Sequence, residues 1–120
     1  MKKMYSVLIL LLFFIHPTES FAQSKDEILI RNVLQTQQNA WNKGLLTNFM
    51  EGYWKNDSLM FIGKSGITYG WQKTLENYKK AYPDTASMGK LKFTLLQLKL
   101  LSTGYYFATG KWHLQRSIGN

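Results

Sequence analysis

KLKFTLLQLKLLSTGYYFATGKWHLQR, Lys90 to Arg116, is the stretch that decides the fold class. Its first half has the two-residue period of a strand, with Leu91, Phe93 and Leu95 on one face. The phase then slips to Leu96, Leu98 and Leu100. A slip inside one apolar run predicts a β-bulge in a strand from Lys90 to Ser102, and a bulge bends a sheet toward a concave surface. Thr103-Gly104 reads as a turn into a second strand, Tyr105–Arg116. One face of that strand carries Tyr106, Ala108, Gly110, Trp112 and Leu114, with Trp112 and Leu114 expected to point into the core. The other carries Tyr105, Phe107, Thr109, Lys111, His113 and Gln115.

Upstream the period changes to that of a helix. Ile30, Leu34, Gln37 and Trp41 recur at helical spacing from Asp26 onward, with Ser24 as N-cap, Glu27 completing a capping box and Gly44 as the stop. Gln37 is polar inside this apolar stripe; it either meets water at the stripe's edge or points a polar group into a cavity. Leu46, Phe49, Met50 and Tyr53 form a short second helix, and Leu45 at its start is a poor cap. Ser58 to Ile62 and Ile67 to Tyr69 read as strands joined by a turn at Gly63–Gly66. Trp71, Leu75, Tyr78 and Tyr82 give a third helix one clean face, ended by Pro83. Asp84 to Gly89 reads as a polar link. Helices followed by long antiparallel strands are an α+β pattern, with helices laid on one face of a curved sheet.

The chain opens with a positively charged start (Lys2, Lys3), an apolar run from Val7 to Ile15, a break at His16-Pro17 and small residues at Ser20 and Ala22. That is the layout of a signal peptide cleaved after Ala22, since a membrane span needs about 20 apolar residues. Residues 1–22 are therefore expected to be a leader, and 23–120 one exported domain, periplasmic or secreted, with no transmembrane segment after cleavage. Cysteine is absent, which excludes disulfides and thiolate chemistry. The net charge is +8, yet the lysines are scattered and no basic run exceeds two. Solvated surface charge is the expected reading, with a weak attraction to anionic envelope surfaces or acidic ligands as the minor alternative, and no nucleic-acid partner is expected.

AWNKG at Ala40–Gly44, Tyr53-Trp54 before the Asp57-Ser58 strand start, YGW at Tyr69–Trp71 and GKWHLQR at Gly110–Arg116 carry a resemblance. From about Asp26 to Arg116 the chain resembles the NTF2-like superfamily and, more narrowly, the SnoaL-like and DUF4440 group of small exported bacterial proteins. The resemblance implies a cone of three N-terminal helices wrapped by a curved antiparallel sheet around a pocket, commonly as a homodimer. Relatives of that kind continue past the GKWHLQR segment into two further strands. The domain at 23–120 is therefore expected to be incomplete at its C-terminus.

The same superfamily includes ketosteroid isomerase, whose chemistry uses a carboxylate base with a tyrosine and a protonated aspartate as oxyanion donors. In this chain the tyrosine position falls at Gln37 and the base at Ile62, while the second aspartate would lie beyond Asn120. Isomerase chemistry of that type is not expected. Asp57 is the weak catalytic candidate, paired with Tyr53 or Tyr78 in an acid–base enzyme of isomerase, cyclase or hydratase type; its bland role is to cap the turn before the strand. His113, alone among its kind after the leader, cannot build a metal site, and neither metal nor cofactor is expected. The aromatics are the strongest signal. Gln37, Trp41, Tyr53, Trp54, Phe61, Tyr78 and Trp112 are the candidate ligand pocket, most of them core and a few lining, which points to non-enzymatic binding of a small apolar or aromatic ligand or to self-association. The rival expectations are the acid–base enzyme and a non-functional shortened copy.

Overall fold

The computed structural model describes residues 24–117; the expected leader, with the cleavage expected after Ala22, and residues 118–120 lie outside the described residues. Helix α1 spans Lys25–Asn42. Ser24 caps it by accepting the Glu27 N–H at 3.1 Å, and Asp26 and Glu27 set negative charge at the positive end of the helix dipole. Its fully buried residues, Gln37, Ala40 and Trp41, all lie in its last third. Helix α2, Leu46–Met50, lacks a side-chain cap at Leu45, as its sequence predicts, and is held by burying Phe49 and Met50.

Strands β1 (Met60–Gly63) and β2 (Gly66–Tyr69) pair antiparallel around Lys64-Ser65. Helix α3, Trp71–Ala81, buries Trp71, Thr74 and Leu75. The expected polar link is a short helix instead, α4 at Thr85–Met88. Asp84 accepts the Ser87 N–H at 2.7 Å while the Ser87 hydroxyl takes the Asp84 N–H, a reciprocal capping box that offsets the cost of so short a helix. There are thus four helices among the described residues rather than three.

Strands β3 (Lys90–Ser102) and β4 (Tyr105–Gln115) form the long hairpin. Leu95 pairs with Gly110 and Gln97 with Thr109, so Leu96 is the bulged residue, at the point where the apolar phase slips. The two hairpins form separate two-stranded sheets instead of the single curved sheet expected. A physical reason lies at the outer edge of β3, where α1 takes the place of a neighbouring strand. Asn42 Oδ1 accepts the Leu91 N–H at 2.6 Å, Asn42 Nδ2 donates to the Leu91 carbonyl at 3.0 Å, and Gln38 Oε1 accepts the Phe93 N–H at 2.8 Å. Backbone groups that would otherwise recruit a strand are satisfied by side chains.

The core gathers Ala40, Trp41, Phe49, Met50, Trp71, Leu75, Met88 and Leu91, with Phe93 and Leu114 packed against it from the hairpin. It therefore sits at the base of the hairpin, where all four helices meet. The far half of the hairpin extends past this core, leaving Leu100, Leu101 and Tyr105 exposed.

Candidate functional site

Two of the four helices are only four or five residues long, so the carbonyls of their last turns find partners beyond the helix. Local amides serve some, with the Glu51 N–H on the Asn48 carbonyl, Tyr53 on Met50 and Gly89 on Thr85, and long-range side chains add to these. Gln37 Nε2 donates to the Phe49 carbonyl at 3.1 Å, Trp71 Nε1 to the Met50 carbonyl at 2.8 Å and Trp41 Nε1 to the Met88 carbonyl at 3.0 Å. Gln37 is thus neither at the water's edge nor aimed into a cavity; its amide joins α1 to α2. A Cβ on Gly52 would run into the Gln37 side-chain amide, so that glycine makes room for it. Among the described residues no buried side-chain nitrogen or oxygen lacks a partner.

Around these bonds the aromatics interlock edge to face. Tyr78 is the hub, with ring centroids 5.5 Å from Phe49, 5.6 Å from Phe61 and 5.9 Å from Trp41, and it stacks on Tyr82 at 6.0 Å. Tyr53 reaches Phe49 at 5.7 Å and Phe61 at 6.1 Å. Trp41, Tyr53, Phe61 and Tyr78, four of the expected pocket residues, are therefore brought together, but as packing.

Burial pushes the Tyr53 and Tyr78 phenols up from their ordinary value, Tyr78 well above the usual tyrosine range because the neighbouring Tyr53 and Tyr82 also oppose its ionisation. Both hydroxyls therefore stay protonated through neutral pH. The folded state holds these protons more tightly than the unfolded chain, so stability is full below an unfolded tyrosine pKa of about 10 and declines above it. Thermal melts should be flat from neutral pH to about 9 and fall above about 10, and Tyr78→Phe should make that alkaline slope shallower. An unchanged slope in Tyr78→Phe would assign the alkaline loss to other groups.

Open space lies elsewhere, between α1 and the inner face of the hairpin. A cavity of about 210 Å³ is lined by Leu34 of α1 and by Phe93, Leu95, Ala108, Gly110 and Trp112 of the hairpin. A second of about 350 Å³ is lined by Asp26, Leu29, Ile30, Gly104, Tyr106 and Ala108. The two meet at Ala108, and at the far end the Tyr106 hydroxyl donates to Asp26 Oδ2 at 3.3 Å, tying helix to strand. Leu114 joins the core as expected, but Trp112 is 68 % exposed. Its indole pairs across the strands with Phe93, at the rim of this groove.

The remaining candidates scatter. Trp54 is 62 % exposed and lines neither cavity, because its segment turns outward between α2 and β1. Asp57 is exposed too, and the turn cap is its neighbour: Asn56 Oδ1 accepts the Ser58 N–H at 2.8 Å. Ile62 lies on the open face of β1, 67 % exposed. His113 is exposed on the outer hairpin face opposite Lys92. Among the described residues no three His, Asp or Glu side chains gather into a metal-binding group. The groove-lining residues of α1, Leu29, Ile30 and Leu34, and Phe93 across from them, were the residues that sequence reasoning missed. Their signal was the exposed N-terminal part of the α1 stripe facing a strand that alternates small with large residues.

Helices seated on one side of antiparallel hairpins, with an apolar groove between, define a small α+β domain of the cone type. The chain is similar to a solved structure, the crystal structure at 1.70 Å resolution of an NTF2-like protein of unknown function from Shewanella oneidensis MR-1. The identity is 43 %, the match covers 75 % of this chain and 74 % of that one, and the TM-score is 0.71. The chain belongs to the NTF2-like family. No protein-family model and no curated protein matches it.

Proposed function

We propose that this NTF2-like chain is an exported, non-enzymatic binding domain that holds a small apolar or aromatic ligand between α1 and the hairpin. The observation that carries the reading is the groove itself: apolar walls from Leu34, Phe93, Leu95 and Ala108 with the large, exposed indole of Trp112 at the rim. A solvent-facing tryptophan beside an apolar cleft gains much of its area burial only when something covers it. The enzyme reading has less support, since Gln37 is engaged with a backbone carbonyl and Asp57 stands exposed, whereas Tyr53 and Tyr78 pack against the core.

The four tryptophans make the test specific. Trp41 and Trp71 are buried and Trp54 and Trp112 are exposed, so in a Trp54→Phe background Trp112 is the exposed reporter. Titration with 1-naphthol should blue-shift and enhance that emission. Trp112→Ala should weaken the affinity about tenfold, the loss of one well-placed aromatic contact. Equal affinity with and without Trp112 would end the proposal that this groove is the ligand site.

A further inference from the structure

The outer face of the β3–β4 hairpin has a character that the linear sequence hides. Lys92 and Lys99 are an odd number of residues apart, and in an unbroken strand they would point to opposite faces. The bulge at Leu96 shifts the parity between them. Lys92 then stands across from His113 and Lys99 across from Phe107, on the face that Lys111 also occupies. The same shift keeps Leu91, Phe93, Leu95, Leu98 and Leu100 together on the inner face with α1. The irregularity at Leu96 thus places the paired leucines and Phe93 on one side and the three lysines on the other; a second shift lies at the tip, between Leu100 and Ser102.

No Asp or Glu occurs anywhere from Thr85 to Ser117, so nothing within the hairpin neutralises Lys92, Lys99 and Lys111, and all three are exposed. Lys90 does not join them, because its ammonium is held by the Asn42 carbonyl at 2.7 Å, whereas Arg116 adds an exposed cation near the base. At the opposite end the stripe runs into bare apolar side chains: Leu101, Tyr105 and Phe107 are 61, 70 and 56 % exposed. Self-pairing of this face would bring lysine onto lysine, so a second copy is a poor occupant. A nucleic acid would use the cations but gain little from an exposed leucine at the tip.

We propose that this face docks on an anionic lipid bilayer, with Lys92, Lys99 and Lys111 over the headgroups and Leu101, Tyr105 and Phe107 entering the interface. Lysines near an anionic surface each add to binding and lose that contribution within a Debye length, while aromatic tips favour the headgroup boundary. Lys92, Lys99 and the apolar tip line neither cavity, while Lys111 also borders the smaller one.

The experiment is vesicle co-sedimentation of the full chain, comparing phosphatidylcholine vesicles with ones containing 30 % phosphatidylglycerol. Every variant carries the same N-terminal apolar segment, so the readout is the anionic-to-neutral ratio of partition coefficients. Lys92→Gln/Lys111→Gln should lower that ratio about 10- to 30-fold, Lys92→Arg/Lys111→Arg should restore it, and 0.5 M salt should remove most of it. Phe107→Ser should weaken binding to anionic vesicles about fivefold with the melting temperature unchanged. A ratio unmoved by the Gln pair overturns the proposal. So does tighter binding to a duplex oligonucleotide than to anionic vesicles with Phe107→Ser silent, which would make the face a polyanion site.

Discussion

Trp41→Ala is expected to lower the stability of this domain by about 4–8 kcal/mol, enough to unfold much of the population at 37 °C. The indole is 3 % exposed and packs edge to face on Phe49 at 5.0 Å, Tyr82 at 4.9 Å and Tyr78 at 5.9 Å. Truncating a buried tryptophan costs about 3–5 kcal/mol in lost transfer and residual cavity. The second loss is the Nε1–H donor to the Met88 carbonyl, and leaving that C-terminal carbonyl of α4 unpaired adds about 1–3 kcal/mol. Helix α4 has four residues and cannot offset the loss from within. A domain of this size has roughly 5–10 kcal/mol in total, so the substitution removes most of it. Trp41→Phe separates the parts, because it keeps a ring in the cluster and deletes only the donor and some area. Urea denaturation should rank wild type, then Trp41→Phe, then Trp41→Ala. A midpoint for Trp41→Ala close to that of wild type would show that the α1–α4 junction does not hold the core.

The difference between what was readable and what was not follows the range of each interaction. Residues within a turn or a strand pair of each other were legible: the Ser24 cap, the weak start at Leu45, the single face of α3 and the phase slip that becomes the Leu96 bulge. Bonds that join distant segments were not. Nothing in AWNKG says that the Trp41 indole will meet the Met88 carbonyl 47 residues on, or that Asn42 will cover the Leu91 backbone. Helix α4 had a local signal, Asp84 with Ser87 three residues on, which is the spacing of a capping box with serine in place of Glu or Gln. The lysines looked scattered because runs were counted along the chain. Their arrangement depends on strand parity, and parity depends on the bulge.

That dependence also explains how one hairpin can serve two surfaces. Polar groups at the closed end of the domain are already engaged: Gln37, Trp41 and Trp71 each donate to a backbone carbonyl, and Tyr53 and Tyr78 lie in aromatic contacts. The unused chemistry sits on β3 and β4, apolar toward α1 and cationic away from it. Everything about those two faces rests on the register with which β3 leaves α4.

Gly89 sets that register, and Gly89→Ala is expected to cost about 3–5 kcal/mol. It is the C-cap of α4 with φ 63° and ψ −156°, a region that is essentially restricted to glycine and costs other residues about 1–3 kcal/mol. An added Cβ would also strike the Gln115 carbonyl oxygen and come within 2.6 Å of Arg116 Cγ. The carbonyl belongs to the rung that closes the hairpin, Lys90 opposite Gln115, and backbone there cannot swing aside as a side chain could. Relief would require β3 and β4 to part at their base, where Leu91 and Leu114 meet the core. Gly104→Ala is the control: its φ is +80°, yet nothing lies within 4 Å of the added carbon, so it should cost only about 1–2 kcal/mol. For a domain of this size a gap of about 2 kcal/mol corresponds to roughly 8–16 °C in Tm. Equal shifts in the two variants would mean that backbone strain alone accounts for Gly89. The larger shift at Gly89, accompanied by loss of 1-naphthol binding in whatever fraction stays folded, would tie the hairpin's anchoring to the shape of the groove.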